Sequence, residues 1–290
     1  MRLLSRGERR DMLTVDFKNL ASLAAAFDGV DTVFHCAGRS HAFAEVGDVE
    51  LHRQANETVS HNTARAAAAA GVRRFVFLSS VKAACEPHER CVDESFVEPP
   101  ETTYGRSKRA AEIGLEEIAA QTHMHAVILR LAMVYGPGSR GNLERMMRLV
   151  QKGQFPSLPE TGNRRSLVHV DDVIEAMLLA AHHPSAAGTY IVAHPDATSG
   201  RVLFVTMCEA AGRPVPSFEI PAWLLRMAGR VGDTAGALVG RRMPLDSQAV
   251  SRLLDSACYS SKKLIRELGW QPRIDLRNGL RTLVAEPRIE

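Results

Sequence analysis

Short apolar runs that alternate with longer helical runs constrain the fold more than any other feature of this sequence. The runs at residues 30–36, 75–78 and 126–131 are rich in Val, Ile, Leu and Phe on both faces of an extended chain. Residues 51–70 and 104–122 between them have the composition of helices. Strands that are apolar on both faces and alternate with helices are typical of a parallel sheet covered by helices on both sides. The sequence therefore predicts a doubly wound α/β fold.

The final third of the chain is less regular and predicts a second, smaller lobe. Strands expected at 166–170 and 189–192 flank a helix at 172–181, and proline then becomes frequent. We expect a first domain over residues 1–140 and a lobe over residues 141–290, from which some strands return to the sheet.

Composition excludes several classes of protein. Over 290 residues, 36 basic and 33 acidic side chains leave a formal charge of +3, which is too small for a nucleic-acid-binding protein. No apolar run approaches the length of about 18 residues that a membrane helix needs, so we expect no membrane partner. Five cysteines without a CxxC pair favour a reducing cytoplasm.

Other clusters of reactive side chains have simpler structural explanations. Cys85, His88 and Cys91 have the residue types of metal ligands, but the sequence contains no second half of such a motif. We therefore predict no metal. Asp171 and Asp172 precede a predicted helix, and we expect them to cap it.

Tyr104 and Lys108 carry the first chemical signal. On a helix, a spacing of four residues places both side chains on one face, one turn apart. A fixed ammonium group beside a phenol favours the phenolate and lowers the phenol pKa from its usual value of about 10. Such a pair exchanges a proton with an alcohol or sugar oxygen while a hydride moves on carbon. By itself, however, this pattern also occurs on exposed helix faces.

Ser80 adds the structural context that the pair needs. Ser79 and Ser80 follow the apolar run at 75–78, at the carboxyl end of a predicted parallel strand. Ligands bind at this edge in open α/β sheets, so the Ser80 hydroxyl is expected to converge with Tyr104 on one substrate oxygen. The alternative is that both serines only cap the turn.

In order and spacing, the sequence resembles the extended short-chain dehydrogenase/reductase family of nucleotide-sugar epimerases, dehydratases and reductases. The matching segments span nearly the whole chain and are residues 15–17, 30–38 (VDTVFHCAG), Asn56, 75–80 (FVFLSS), 104–108 (YGRSK), 129–138 (LRLAMVYGPG), 163–172 (NRRSLVHVDD) and 267–270 (ELGW). The segment 141–146 (GNLERM) resembles the branch found in surface-polysaccharide pathways. The resemblance implies that the first domain binds a dinucleotide and the second lobe binds substrate.

The resemblance also implies a role for each matching residue. Tyr104 is expected to be the acid/base, Lys108 its electrostatic and ribose-holding partner, and Ser80 the hydroxyl that positions the reacting oxygen. Asn142 and Arg165 are expected to grip the substrate diphosphate, a task that suits the planar fork of arginine; the alternative for Arg165 is an ordinary surface arginine. The other expected cofactor contacts are Arg6, Asp16, Phe17, Cys36, Ala37, Gly38 and Asn56.

These matches predict NAD(P)-dependent redox chemistry on a nucleotide-linked sugar, by a 4-epimerase or a 4-keto-sugar reductase that forms a homodimer. Dehydration is disfavoured, because Val81 and Lys82 follow Ser80 where dehydratases carry an acidic pair. Met133 stands near the place of a substrate-binding Asn, which argues against simple UDP-galactose epimerisation. The choice between NAD and NADP stays open, since Arg6 and nearby arginines favour a 2′-phosphate only weakly.

The family's opening strand, glycine-rich turn (GxxGxxG) and helix have no counterpart in this sequence. In the family, that turn and the helix N-terminus bind the cofactor pyrophosphate. About 30 residues are therefore expected to be missing, among them the central strand, which would expose the ladder edges of both neighbouring strands. We expect an N-terminal truncation and weak dinucleotide binding. The alternative is a non-catalytic or cofactor-deficient binding protein on the same fold.

Overall fold

A computed structural model describes residues 2–5, 12–39, 49–86, 88–138, 141–240, 243 and 245–285. The strands are β1 (Leu4–Ser5), β2 (Leu13–Thr14), β3 (Thr32–His35), β4 (Arg74–Ser80), β5 (His125–Leu131), β6 (Met133–Tyr135), β7 (Leu167–His169) and β8 (Gly188–Val192). The α-helices are α1 (Leu20–Ala26), α2 (Val49–His52), α3 (Val59–Ala69), α4 (Thr103–Ala120), α5 (Asn142–Gln151), α6 (Val170–His182), α7 (Gly200–Ala210), α8 (Ala222–Val239), α9 (Ser247–Leu254), α10 (Lys262–Leu268) and α11 (Leu276–Ala285).

The main sheet is parallel and follows the order β3-β4-β5-β8, which confirms the predicted fold class. Its strands are buried as predicted: Phe75, Val76 and Phe77 of β4 are fully enclosed. Strand β8 comes from the second lobe and pairs with β5 through Val192 and Leu131. Strand β8 therefore belongs to the main sheet, and the division of the chain into two domains stays a prediction.

Strands β1 and β2 form a separate parallel pair, and among the described residues neither hydrogen-bonds to β3. Apolar packing joins the pair to the rest of the domain. Val15, Phe17 and Leu23 belong to the same buried cluster as Val59 and Phe75. Within the part of the chain that the structure describes, strand β3 thus lies at an edge of the main sheet.

The second lobe has an apolar core of its own, which includes Met146, Met147, Leu203, Phe204 and Met207. The small parallel pair β6-β7 leads the chain into this lobe.

The helix predicted at residues 51–70 forms, but it is not uniform. Residues Arg53–Thr58 between α2 and α3 adopt a π-helix, a wider turn that α-helices use mainly at functional sites. The helix ends at Ala69, and Gly71, two residues later, has a φ of 76°, in the left-handed region that favours glycine. Hydrophobic periodicity does not distinguish a π-turn from an α-turn, so the sequence predicted only the helix.

The prediction that Asp171 and Asp172 cap α6 is wrong. The capping residue is His169, whose Nδ1 accepts a hydrogen bond from the Asp171 backbone N–H at 3.3 Å. The buried Asp172 carboxylate instead accepts from the backbone N–H groups of Arg273 and Ile274, at 2.7 and 3.3 Å. Asp172 therefore fixes the segment that follows α10.

Candidate active site

Ser80 and Tyr104 meet at the carboxyl end of β4. Ser80 is the last residue of that strand, and its Oγ accepts from the Lys82 backbone N–H at 3.3 Å. Tyr104 stands in the first turn of α4, which Thr102 caps by accepting from Gly105 N–H at 3.1 Å. Burial raises the pKa of Tyr104, and a hydrogen bond with Ser80 opposes that increase. The Ser80 hydroxyl and the Tyr104 phenol therefore lie close enough at this sheet edge for Ser80 to influence the pKa of the phenol.

Lys108 lies one turn beyond Tyr104 and points into the same region. Its Nζ donates to the Leu78 carbonyl oxygen at 2.8 Å and lies 4.7 Å from the centre of the Phe77 ring. Burial lowers the pKa of Lys108 to about 8. The expectation that this ammonium lowers the Tyr104 pKa is wrong for the ligand-free chain, because burial dominates and the ammonium is directed to a backbone carbonyl.

Asn56 connects the π-helix to α4 and to the end of β3. Its Nδ2 donates to Ser107 Oγ at 2.9 Å and to the Arg39 carbonyl at 3.1 Å, while its Oδ1 accepts from Arg39 N–H at 2.7 Å. Gly38 lies against the same side chain: an added Cβ would be 2.9 Å from Asn56 Oδ1 and 3.3 Å from Lys108 Nζ. Only glycine fits there without displacing the network.

A cleft of about 770 Å³ opens between the β1-β2 pair and the end of β3. Asp16, Phe17 and Gly38 line it, as the resemblance implied, and Ala37 lines a smaller cavity beside Phe17. The Asp16 carboxylate accepts from the Lys18 backbone N–H at 2.9 Å, so part of its capacity serves a local turn.

Four further residues predicted for the site lie on other segments of the chain than Ser80, Tyr104 and Lys108. Cys36 is exposed directly after β3, and Asn142 is exposed at the start of α5. Arg165 is buried, and its Nη1 donates to the Asp255 carbonyl at 2.9 Å. It is therefore not a surface arginine. Arg6 lies outside the described residues.

A buried ion pair that the sequence analysis missed holds α4 against the sheet. Glu112 Oε2 accepts from Arg130 Nη2 at 2.7 Å and from Arg109 Nη1 at 3.0 Å. Glu112 Oε1 accepts from Ser79 Oγ at 2.6 Å and from Arg130 Nε at 3.0 Å. The regular spacing of Tyr104, Lys108 and Glu112 along one helix face was the only signal in the sequence.

His35 is buried directly beneath the site. Its ring stacks on Phe75 and Phe77, with centroid distances of 5.7 Å to each, and its Nε2 lies 3.0 Å from Ser60 Oγ. Ser60 donates to the Asn56 carbonyl, so its oxygen accepts from the neutral imidazole. Burial, assisted by the charge of Lys108, lowers the pKa of His35 to about 3.

This histidine should make folding sensitive to acid. In the unfolded chain His35 is protonated below about pH 6.5, whereas in the folded chain it stays neutral down to about pH 3. The free energy of unfolding therefore falls as the pH drops between these two values. The slope is about 1.4 kcal/mol per pH unit for one such group. The free energy of unfolding is measured with urea at pH 6.5 and at pH 5. Between these two values, His35→Phe should lose about 2 kcal/mol less of this free energy than wild type does. Substitution of the exposed His123 by Asn should leave the wild-type pH dependence, and an unchanged slope in His35→Phe would contradict the assignment.

Cys91 forms a disulfide with Cys258, a residue distant in sequence. A short parallel bridge supports the pair, in which Val92 N–H donates to the Cys258 carbonyl at 3.1 Å and Ser260 N–H donates to the Val92 carbonyl at 2.8 Å. The bond joins the loop between Ser80 and Tyr104 to the second lobe. Within the described residues, no three His, Cys, Asp or Glu side chains are grouped closely enough to hold a metal ion.

Breaking this bond should destabilise the oxidised protein. A disulfide that closes a loop of 167 residues restricts the unfolded chain strongly, and the expected loss for Cys91→Ser is about 2–4 kcal/mol. Urea unfolding with and without a phosphine reductant measures it. Reduction should abolish the difference between wild type and variant. Equal stability of the two under oxidising conditions would show that the bond does not form in solution.

The sequence matches a known protein family. Residues 2–193 match the model of the NAD dependent epimerase/dehydratase family. The chain belongs to this family. A UDP-glucose 4-epimerase from Vibrio cholerae is 30% identical over 259 residues, which cover 86% of this chain and 74% of the relative. The N-acetyl-alpha-D-glucosaminyl-diphospho-ditrans,octacis-undecaprenol 4-epimerase of Escherichia coli O157:H7 is 25% identical, over 93% of this chain and 82% of its own.

Solved structures share the fold. MoeE5 in complex with UDP-glucuronic acid and NAD superposes with a TM-score of 0.74 at 22% identity, over 96% of this chain and 87% of that chain. RMD from Pseudomonas aeruginosa, complexed with NADPH, superposes with a TM-score of 0.72 at 20% identity, over 94% of this chain and 85% of its own. Structural neighbours of this family member thus bind NAD or NADPH.

Proposed function

We propose that this chain is an NAD(P)-dependent enzyme that oxidises or reduces C4 of a nucleotide-linked sugar, as a 4-epimerase or a 4-keto-sugar reductase of surface-polysaccharide biosynthesis. The observation that carries the proposal is the juxtaposition of Ser80 and Tyr104 at the carboxyl end of β4, with the Lys108 ammonium one turn away. We also propose that the enzyme is a cytoplasmic homodimer; the reducing cytoplasm would keep Cys91 and Cys258 as thiols, so their disulfide belongs to the oxidised protein.

In this proposal, Tyr104 exchanges a proton with the sugar hydroxyl. A bound nicotinamide cofactor would supply the hydride transfer to and from the sugar carbon. Ser80 donates to the reacting oxygen and holds it beside the phenol. Burial keeps the Tyr104 phenol protonated at neutral pH, so the ligand-free chain is poised to donate its proton to a keto oxygen. The positive charge of Lys108 stabilises the phenolate that remains.

The residues present can hold the adenosine half and the nicotinamide half of a dinucleotide. Asp16, Phe17 and Gly38 line the cleft beside β3 and would hold the adenosine half. Lys108 and Asn56 would hold the nicotinamide half, because Gly38 leaves room for close backbone approach beside them. In the family, a GxxGxxG turn binds the pyrophosphate between these two halves.

For the substrate, we propose that Arg165 and Asn142 bind the diphosphate. Arg165 is buried, and among the described residues its guanidinium donates to a backbone carbonyl and not to a carboxylate. Its charge is therefore available to bind an anionic ligand. The names of two relatives support a substrate in which a diphosphate carries the sugar. The Vibrio cholerae protein is named for UDP-glucose, and the Escherichia coli protein is named for a sugar on a lipid diphosphate.

The test is an assay of the purified chain with saturating cofactor. UDP-glucose and UDP-N-acetylglucosamine are incubated with NAD, and dTDP- and UDP-linked 4-keto sugars with NADPH; products are separated by anion-exchange chromatography. Interconverted sugars without net redox indicate an epimerase, and consumption of NADPH indicates a reductase. No turnover of any sugar, together with measurable nucleotide-sugar binding, would overturn the proposal in favour of a non-catalytic binding protein.

A further inference from the structure

The Cys91–Cys258 disulfide joins two connecting segments of the chain. Cys91 lies in the segment at residues 81–102, which connects β4 to α4, and we call it the β4–α4 loop. Cys258 lies in the segment at residues 255–261, which connects α9 to α10, and we call it the α9–α10 segment. The two cysteines are 167 residues apart in sequence, so the bond links parts of the protein that are distant along the chain.

The β4–α4 loop holds the start of α4. Thr102, which caps that helix, donates through its Oγ1 to Glu86 Oε1 at 3.3 Å. The other carboxylate oxygen of Glu86 pairs with Lys82 Nζ at 3.1 Å. Tyr104 stands in the first turn of α4, so a displacement of this loop reaches the phenol of the candidate active site.

The α9–α10 segment holds Arg165. Ala257 N–H donates to the Arg164 carbonyl at 2.8 Å, and Ser166 N–H donates to the Ala257 carbonyl at 2.9 Å. The Asp255 carbonyl accepts from Arg165 Nη1 at 2.9 Å. The guanidinium and both chain neighbours of this arginine therefore bond to the segment, and the bonded cysteine is the residue directly after Ala257.

The exposure of the sulfur atoms suits thiol–disulfide exchange. Cys91 is exposed and Cys258 is 2% exposed, so a small disulfide in solution reaches Cys91 first. Cys85 lies in the same loop but is buried, and burial raises its pKa to about 11. Because the thiolate is the attacking species, Cys85 should not compete near neutral pH.

We propose that Cys91 and Cys258 are a reversible redox pair that exchanges with small disulfides of the glutathione class, and that oxidation of the pair tightens the hold of Arg165 on the substrate diphosphate. The Cys91 thiolate attacks one sulfur of glutathione disulfide, which forms a mixed disulfide and releases one glutathione thiolate. The Cys258 thiolate then attacks the Cys91 sulfur and releases the second. The two glutathione thiolates take up the protons that the cysteines lost, and the small disulfide gains the two electrons that the protein pair loses.

Reduction should loosen the junction without unfolding it. The hydrogen bonds that remain there include Val92 N–H to the Cys258 carbonyl at 3.1 Å and Ser260 N–H to the Val92 carbonyl at 2.8 Å. The β4–α4 loop also stays attached to β8, because Glu94 Oε1 accepts from Ile191 N–H at 2.7 Å. The effect on the diphosphate rests on the proposed function, whereas the redox exchange does not.

The exchange is tested on the full chain in mixtures of glutathione and glutathione disulfide. Free thiols are blocked by alkylation, and the bonded fraction of Cys91 and Cys258 is measured by peptide mass spectrometry. We expect the bond to form when the disulfide is in excess and to disappear when glutathione is in excess. A bond that never forms, or that excess glutathione does not reduce, would overturn the reversible pair.

Hydrogen exchange gives a second readout that needs no ligand. The amides of Val92 and Ser260 should exchange at least about tenfold faster in the reduced protein, because the covalent link no longer limits local opening. The amides of β5, whose strand lies within the main sheet, should exchange at the same rate in both forms. Unchanged exchange at the junction would show that the bond does not hold the two segments together.

Titration with UDP, followed by calorimetry, measures the effect on the substrate site. The oxidised protein should bind UDP about threefold to tenfold more tightly than the reduced protein, because a fixed site loses less conformational freedom on binding. Cys91→Ser should bind as the reduced wild type does in either buffer. The matched control is Cys85→Ala, which removes a thiol from the same loop and should keep the full redox response.

The outcomes separate this redox pair from the proposed function. Equal UDP affinity of the two forms, or a redox response that persists in Cys91→Ser, would overturn the coupling. Absence of UDP binding in both forms would overturn the diphosphate assignment of Arg165, and with it the coupling. Redox-dependent UDP binding without turnover of any sugar would support the coupling and contradict the proposed catalytic function instead.

Discussion

Tyr104→Phe should lower kcat of the active enzyme by about 10³-fold while KM for the sugar nucleotide changes little. Removal of a general acid/base typically costs between about 10² and 10⁴ in rate. The ring remains, so its packing at the start of α4 is retained and the lost term is proton transfer alone. Steady-state kinetics at saturating cofactor measure the effect, and a parallel fall of kcat and kcat/KM identifies an interaction made only in the transition state.

Tyr190→Phe is the matched control for this substitution. Tyr190 is a buried tyrosine of β8, and its hydroxyl accepts from the Ala187 backbone N–H at 3.5 Å, away from Ser80. We expect the kcat of Tyr190→Phe to lie within about twofold of wild type, because the lost hydroxyl makes only a weak hydrogen bond. Should Tyr104→Phe retain more than a tenth of wild-type kcat, the phenol would not be the proton donor.

Arg130→Met should destabilise the protein by about 3–5 kcal/mol, because it leaves the Glu112 carboxylate buried without its main partner. Glu112 is fully buried and the Arg130 side chain is 3% exposed, so water cannot replace the lost charge. Urea unfolding at constant pH measures the loss. The second arginine on the same carboxylate provides the control: the Arg109 side chain is 29% exposed, and Arg109→Met should cost about 1 kcal/mol or less.

A double-mutant cycle separates the pair from its surroundings. When Glu112→Leu is combined with Arg130→Met, neither charge of this buried pair remains, and much of the lost stability should return. Strict additivity of the two single effects would show that the charges do not interact in the folded state. Because Glu112 lies one turn beyond Lys108, recovery of stability need not restore activity.

Sequence patterns predicted the framework because the hydrophobic effect acts on periodicity. Strand β4 and helix α4 formed where apolar runs and helix formers stood, and Ser80 fell at the strand end for the same reason. The Cys91–Cys258 pairing was missed, since spacing along the chain does not encode contact between distant segments. The Tyr104 pKa was predicted in the wrong direction because a sequence shows neighbouring charges but not burial.

The separate β1-β2 pair has a consequence for the cleft beside Asp16. Hydrogen bonds in a continuous ladder fix neighbouring strands at about 4.8 Å. Here the spacing between the pair and β3 depends on interlocking side chains such as Leu23 and Phe27. Side chains that never touch a ligand therefore govern how wide the cleft opens, and evolution can retune the affinity for a dinucleotide by altering the volume of that apolar layer alone.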